Sequence, residues 1–184
     1  MRPWPHAPTH RLIQDGVVMV TAATYKHQHI FRGKEKLEVL QASLLDTLER
    51  DGFEALAWAV FPNHYHVVVS NSKGDRSISR TIQAVHKFTA RHANNADQTP
   101  GRTVWHNYFD KQLTFEKSFM VRLHYVHYNP VRHGVVSDAA MYPFCSAFWF
   151  ERFAPKSYVE TVRSFKDDSI AEVDEYAVEP NSWL

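Results

Sequence analysis

The sequence predicts an α+β fold: a ferredoxin-like sandwich with a mainly antiparallel sheet and helices packed on one face. Three observations carry that prediction. Gly16–Tyr25 and Ala55–Ser70 are dense in the β-branched, aliphatic and aromatic residues that fill a buried sheet. Lys34–Asp51 and Ser77–Ala93 repeat their apolar residues at the three- and four-residue intervals of one helix face. Their order along the chain is strand, helix, strand, strand, helix, strand, helix, which alternates helices with hairpin-connected strands.

Each element has its own signal. Residues 1–15 carry Pro and His without periodicity and read as an irregular arm. Gly16–Tyr25 (Gly-Val-Val-Met-Val-Thr-Ala-Ala-Thr-Tyr) reads as the first strand. Leu37, Leu40, Leu44, Leu45 and Leu48 give the first helix its apolar face, and Gly52 ends it. Pro62-Asn63 splits the next apolar run into two strands joined by a tight turn. Asn71–Asp75 is a loop, and Ile78, Ile82, Val85 and Phe88 line one side of the second helix. After a polar loop at 94–101, Thr103–Phe115 reads as short strands around Val104, Trp105, Tyr108, Phe109 and Leu113. A third helix over Ser118–Tyr128 is expected to close at Asn129-Pro130, because proline has no amide to continue it. Beyond Gly134 the chain is aromatic-rich up to Phe150. The stretch 151–184 then reads as an acidic extension, with Asp167, Asp168, Glu172, Asp174, Glu175 and Glu179.

Composition narrows the class. The chain has 184 residues, enough for one domain with a sizeable core, and its 44% hydrophobic and 22% charged residues are those of a globular protein. Net charge is +1 with the twelve histidines neutral, so any nucleic-acid surface must come from uneven charge distribution. One cysteine, Cys145, excludes an intramolecular disulfide framework and a cysteine-rich zinc site. No apolar run is long enough to span a membrane, and the N-terminus has no apolar signal core, so a cytoplasmic location is expected.

His64-Tyr65-His66 is the triplet on which the chemistry turns. On a strand, side chains alternate, so His64 and His66 share a face and Tyr65 points away. Two imidazoles so placed can hold one cation, although His-x-His on a strand also occurs as plain structure. In the third helix Tyr125 and Asn129 are four residues apart and share a face. The Asn carbonyl oxygen is a hard ligand suited to Mg²⁺ or Mn²⁺ beside two histidines. A tyrosine hydroxyl near that metal could attack a phosphodiester that the metal polarises. Asn129 before Pro130 is equally a normal helix terminator. Tyr128, three residues on from Tyr125, competes for the nucleophile role. Arg76, Arg80, Lys87 and Arg91 on the second helix, with Arg122 and Arg132, form the candidate phosphate-contacting set; His86, His92 and His133 lie among them.

These segments together carry a resemblance. His64-Tyr65-His66 after Phe-Pro-Asn, Trp105-His-Asn-Tyr-Phe-Asp110 and Tyr125-Val-His-Tyr-Asn-Pro-Val-Arg-His-Gly134 resemble the ordered motifs of REP-associated tyrosine transposases. That group belongs to the single-tyrosine His-hydrophobic-His (HUH) transposases of insertion-sequence type. The similarity runs over roughly Gly16–Phe150, the stretch it marks as the transposase-like domain. It implies a ferredoxin-like domain that binds single-stranded or hairpin DNA, REP-like repeats among the targets. It further implies a divalent metal, Mg²⁺ or Mn²⁺, on His64 and His66 with Asn129 as a further ligand. Tyr125 falls on the nucleophile that forms a 5′-phosphotyrosine. Relatives include monomers and helix-exchanged homodimers. Two other functions remain compatible with the residues: a domesticated hairpin-DNA-binding protein that no longer cuts, and a metal-dependent phosphodiesterase that attacks with water.

Overall fold

The computed structural model describes residues 16–71, 77–165 and 176–184. Strand β1 (Val17–Thr24) is followed by a 3-10 turn at Tyr25–His27 and helix α1 (Lys34–Arg50). Strands β2 (Glu54–Val60) and β3 (His64–Ser70) form the hairpin around Pro62, and helix α2 (Ile78–Ala96) follows. Strand β4 (Trp105–Leu113) leads into helix α3 (Glu116–Arg132). A 3-10 turn at Ala139–Met141 and helices α4 (Ala147–Phe153) and α5 (Lys156–Ser164) complete the described elements. The sheet order is β2-β3-β1-β4 with every neighbouring pair antiparallel. This is the ferredoxin-like α+β arrangement expected. The short strands foreseen over Thr103–Phe115 are one nine-residue edge strand, and α2 runs three residues past Ala93.

All seven residues of β3 are buried, so both faces of the sheet need cover. On one face the Tyr65 hydroxyl is 2.9 Å from Nε2 of His86, which puts α2 there. Helix α1 runs antiparallel beside α2. Thr81 Oγ1 donates to Asp51 at the end of α1 (2.9 Å), and Lys36 near its start pairs with Asp97 just past α2. These two crossover helices share a face, but the expectation of helices on one face alone does not hold for the third, because the His66 side of a sheet buried on both faces also needs cover. Helix α3 lies on the other, where the rings of Tyr125 and His66 meet. Met19 and Val68, opposite each other on β1 and β3, carry that face's apolar surface, and burying it requires a helix.

Helix α3 does not stop at Asn129-Pro130. It continues to Arg132 with Pro130 inside it and Asn129 fully buried. A proline within a helix deprives the carbonyl four residues earlier, here Val126, of its donor. The buried thiol of Cys145 stands in. Its Sγ lies 3.8 Å from the Val126 carbonyl and 3.5 Å from that of His127. The true stop is Gly134 at φ +65°, with Gly134 N donating to Val131 and Val135 N to Pro130. That is a Schellman ending, which needs a left-handed residue just past the helix.

Past Gly134 the chain closes the outer edge of β2. Val60 N donates to Phe144 O and Ser146 N to Trp58 O, each at 2.9 Å, so Cys145 is held against the sheet. The stretch read as an acidic extension contributes to the core where it is described. Val159, Val162 and Val178 are buried, and position 150 falls inside α4.

Candidate active site on the α3 face of the sheet

His64 and His66 are 0% and 1% exposed. Asn63 fixes His64. Its Nδ2 donates to the Ala177 carbonyl (2.9 Å), which leaves its Oδ1 facing His64 Nδ1 at 2.8 Å. An amide oxygen only accepts, so His64 Nδ1 carries the proton, and the nitrogen suited to a metal is Nε2. On His66, Nδ1 is bonded to Thr21 Oγ1 at 2.8 Å, which again turns Nε2 toward the ligating role. The two rings have centroids 5.1 Å apart at 72°. With metal–imidazole bonds of about 2.1 Å, two rings on one ion sit at about this separation. Two imidazoles so oriented could share one cation. Among the described residues no group of three or more His, Cys, Asp or Glu gathers for a metal.

Helix α3 brings its residues to this pair. The Tyr125 ring, 1% exposed, meets the His66 ring edge-on at 5.2 Å and 76°. Asn129 is one helical turn further along the same face, 0% exposed. The Arg132 guanidinium lies over the Tyr125 ring at 5.4 Å. His133 is 5.0 Å from the ring of His64, edge to face. Tyr128 has other partners. It stacks on His124 at 4.6 Å and its hydroxyl takes a hydrogen bond from Arg163 Nε at 2.5 Å. The third helix therefore packs against the histidine strand within a single chain.

The family model described as "Transposase IS200 like" matches residues 16–129, which include His64, His66, Tyr125 and Asn129. The chain belongs to the IS200-like transposases. The REP-associated tyrosine transposase of Escherichia coli (strain K12) is 26% identical over 109 residues, a match spanning 58% of this chain and 62% of that relative. A solved structure of the REP-associated tyrosine transposase bound to a REP hairpin superposes with a TM-score of 0.64 at 17% identity. The superposition covers 90% of this chain and 92% of that one and establishes the likeness of fold.

For an IS200-like transposase the cation set is divided. Arg80, Lys87 and Arg91 are exposed along α2, but α2 lies on the sheet face opposite the histidines. Arg122 is only 7% exposed and donates to Ser118 Oγ at 2.8 Å and to the Ser118 carbonyl, so it is an interior residue of this family member. Arg132 is exposed and adjoins Tyr125. Arg76 lies outside the described residues. His92 is half-buried on α2, and His127 is buried against Phe150 at 4.2 Å.

Sequence reasoning missed the residues that orient the site. Asn63 adjoins His64 and could have been found from its polar side chain in the Phe-Pro-Asn turn. Thr21 has no local signal, because only the β1–β3 register puts it opposite His66. Tyr176, far along the chain, lies 4.8 Å from the His64 ring and 4.7 Å from that of His27. His27 and its neighbour Lys26 both hold φ of +54°, a backbone state uncommon outside glycine.

Proposed function

We propose that this chain cleaves and rejoins single-stranded or hairpin DNA through a covalent phosphotyrosine on Tyr125. The observation that carries the reading is the contact of Tyr125 with His66, which joins a nucleophile to a metal-type histidine pair from two layers of one chain. His64 and His66, with Asn129, would hold Mg²⁺ or Mn²⁺, which when bound polarises a phosphate oxygen as a Lewis acid. Tyr125 supplies its hydroxyl oxygen to phosphorus, the bond to the 3′ oxygen breaks, and the proton ends on the released 3′-hydroxyl. Attack by a 3′-hydroxyl on the phosphotyrosine reverses these steps, so strands are rejoined without an external energy source. Arg132 stands where a phosphate approaching Tyr125 would meet a cation. The exposed Arg80, Lys87 and Arg91 are suited to the backbone of a hairpin stem. REP-like hairpins are the targets of choice, because the relative of like fold is described as bound to one. One copy holds both Tyr125 and the histidines, so a monomer suffices for nicking, and the expected place of action is the cytoplasm.

The test is incubation with end-labelled hairpin DNA and Mn²⁺, followed by denaturing electrophoresis. A covalent protein–DNA adduct is expected with the native chain. Tyr125→Phe is expected to bind DNA without forming one. Binding without an adduct in the native chain would identify a non-cleaving hairpin-binding protein. Cleavage that survives Tyr125→Phe would identify a phosphodiesterase using water.

A further inference from the structure

The site face of the sheet continues beyond His66. Thr21 on β1 is paired with His66 of β3 on one side and with Phe109 of β4 on the other. Cross-strand partners share a face, so His66, Thr21 and Phe109 form one row on the α3 side. Strands lie about 4.8 Å apart, which sets Phe109 about 10 Å from His66 across that row. Thr21 between them is small and half-buried, while Phe109 is 70% exposed. Two residues along β4, the exposed Lys111 shares this face, and Asp110 points to the other.

The local geometry makes Phe109 distinct from the other aromatic residues of its strand. A register shift between Ala22 and Thr24 interrupts the alternation of β4. Trp105 and Tyr108 then both turn toward His86 on the α2 face, with ring separations of 4.3 and 6.3 Å. Phe109 is left on the site side. An isolated exposed Phe is unexceptional on a protein surface. This one is aligned with a candidate metal ligand, separated from it by a short polar residue that bonds to that ligand, and accompanied by a cation.

We propose that Phe109 is a stacking platform for one unpaired base flanking the scissile phosphate, with Lys111 beside that nucleotide's backbone. The proposal rests on the DNA-cleaving reading and deepens it. An aromatic ring offers a π-face to any base, and stacking strength alone then favours a purine at that position over a pyrimidine. The distance from His66 places the base next to the reacting phosphate rather than in the hairpin stem. Phe109 therefore selects how the strand enters the site and leaves the chemistry to Tyr125.

The experiment uses hairpin DNA with single-stranded flanks and 2-aminopurine at one flank position at a time. Binding is followed with the Tyr125→Phe protein, so that cleavage does not intervene. Quenching is expected at one flank position, lost in a Phe109→Ala background and kept in Phe109→Tyr. An abasic site at that position is expected to weaken binding at least about fivefold, the low end for base–aromatic stacking, with no further loss in Phe109→Ala. Quenching at every position unchanged by Phe109→Ala would overturn the proposal. So would a lowered sedimentation coefficient in Phe109→Ala, which would assign this face to a second copy. The adduct assay with Tyr125 intact reports separately on cleavage. An adduct at native rate on every flank in Phe109→Ala removes the platform and leaves the nucleophile standing.

Discussion

Thr21 Oγ1 lies 2.8 Å from Nδ1 of His66, a bond between neighbouring strands and residues 45 positions apart. It orients the ring and so decides which nitrogen faces the proposed metal position. Thr21→Val keeps the β-branched shape that suits a strand and replaces the hydroxyl with a methyl that cannot bond to His66. Mn²⁺ affinity measured by calorimetry is expected to fall about ten- to a hundredfold, the usual consequence of removing a residue that orients a metal ligand. Thr21→Ser is expected to restore it. Native affinity in the valine variant would show that Thr21 does not orient His66.

Tyr125 and Tyr128 are three residues apart and have opposite expected phenotypes. Tyr128→Phe removes a hydroxyl held by Arg163 and near Glu151 (3.5 Å), partners other than the histidine pair. Adduct formation is expected to stay within about twofold of native, with a stability loss of about 1 kcal/mol for the hydrogen bonds. Loss of the adduct in this variant would move the nucleophile from Tyr125 to Tyr128.

Cys145 tests the repair of α3 at Pro130. Cys145→Ala removes the donor to the Val126 and His127 carbonyls and leaves a small void, and about 1–3 kcal/mol of stability should be lost in urea unfolding. Cys145→Ser, which keeps a donor, is expected to lose less. Burial pushes the thiol up to about 12 from an ordinary value near 9. The folded protein should thus resist thiol reagents at pH 8 and react only as it unfolds. Because the folded value is the higher, the thiol's contribution to stability is complete below about pH 9 and is lost as pH rises toward 12.

Two histidines other than His64 and His66 predict acid lability. Burial pushes His86 down to about 4 and His127 to about 3, the latter helped by neighbouring His124. Unfolded, both take up protons below about pH 6.5, while the folded protein binds them only near pH 4 and 3. Stability therefore rises with pH across that window and falls as pH drops from 6.5. Each group contributes at most about 1.4 kcal/mol per pH unit. Unfolding free energies measured between pH 7 and 4.5 should show this slope, and His127→Phe, stacked on Phe150, should flatten it. An unchanged slope in His127→Phe would mean that His127 takes up its proton equally in the folded and unfolded states.

Much of the fold was legible because its signals are local. The leucine spacing of α1, the apolar density of β1 and the Pro62-Asn63 break each act within a few residues, and the structure places these elements within a residue or two of the expected bounds. The end of α3 was not legible, because what permits Pro130 inside the helix is a thiol fifteen positions further on. The interior place of Arg122 was not legible either. A cation on a helix reads as exposed until the partner that buries it is known.

By itself the sequence determined that His64 and His66 share a strand face and that Tyr125 and Asn129 share a helix face, since both follow from backbone periodicity. Only the tertiary structure decided that the two faces meet, with Tyr125 against His66 at 5.2 Å. It also put Asn63 and Thr21 behind the histidines, the α2 cations across the sheet, and Phe109 in the row of His66. The physical reason is that strand register and helix packing depend on contacts between residues tens of positions apart, which no local spacing encodes.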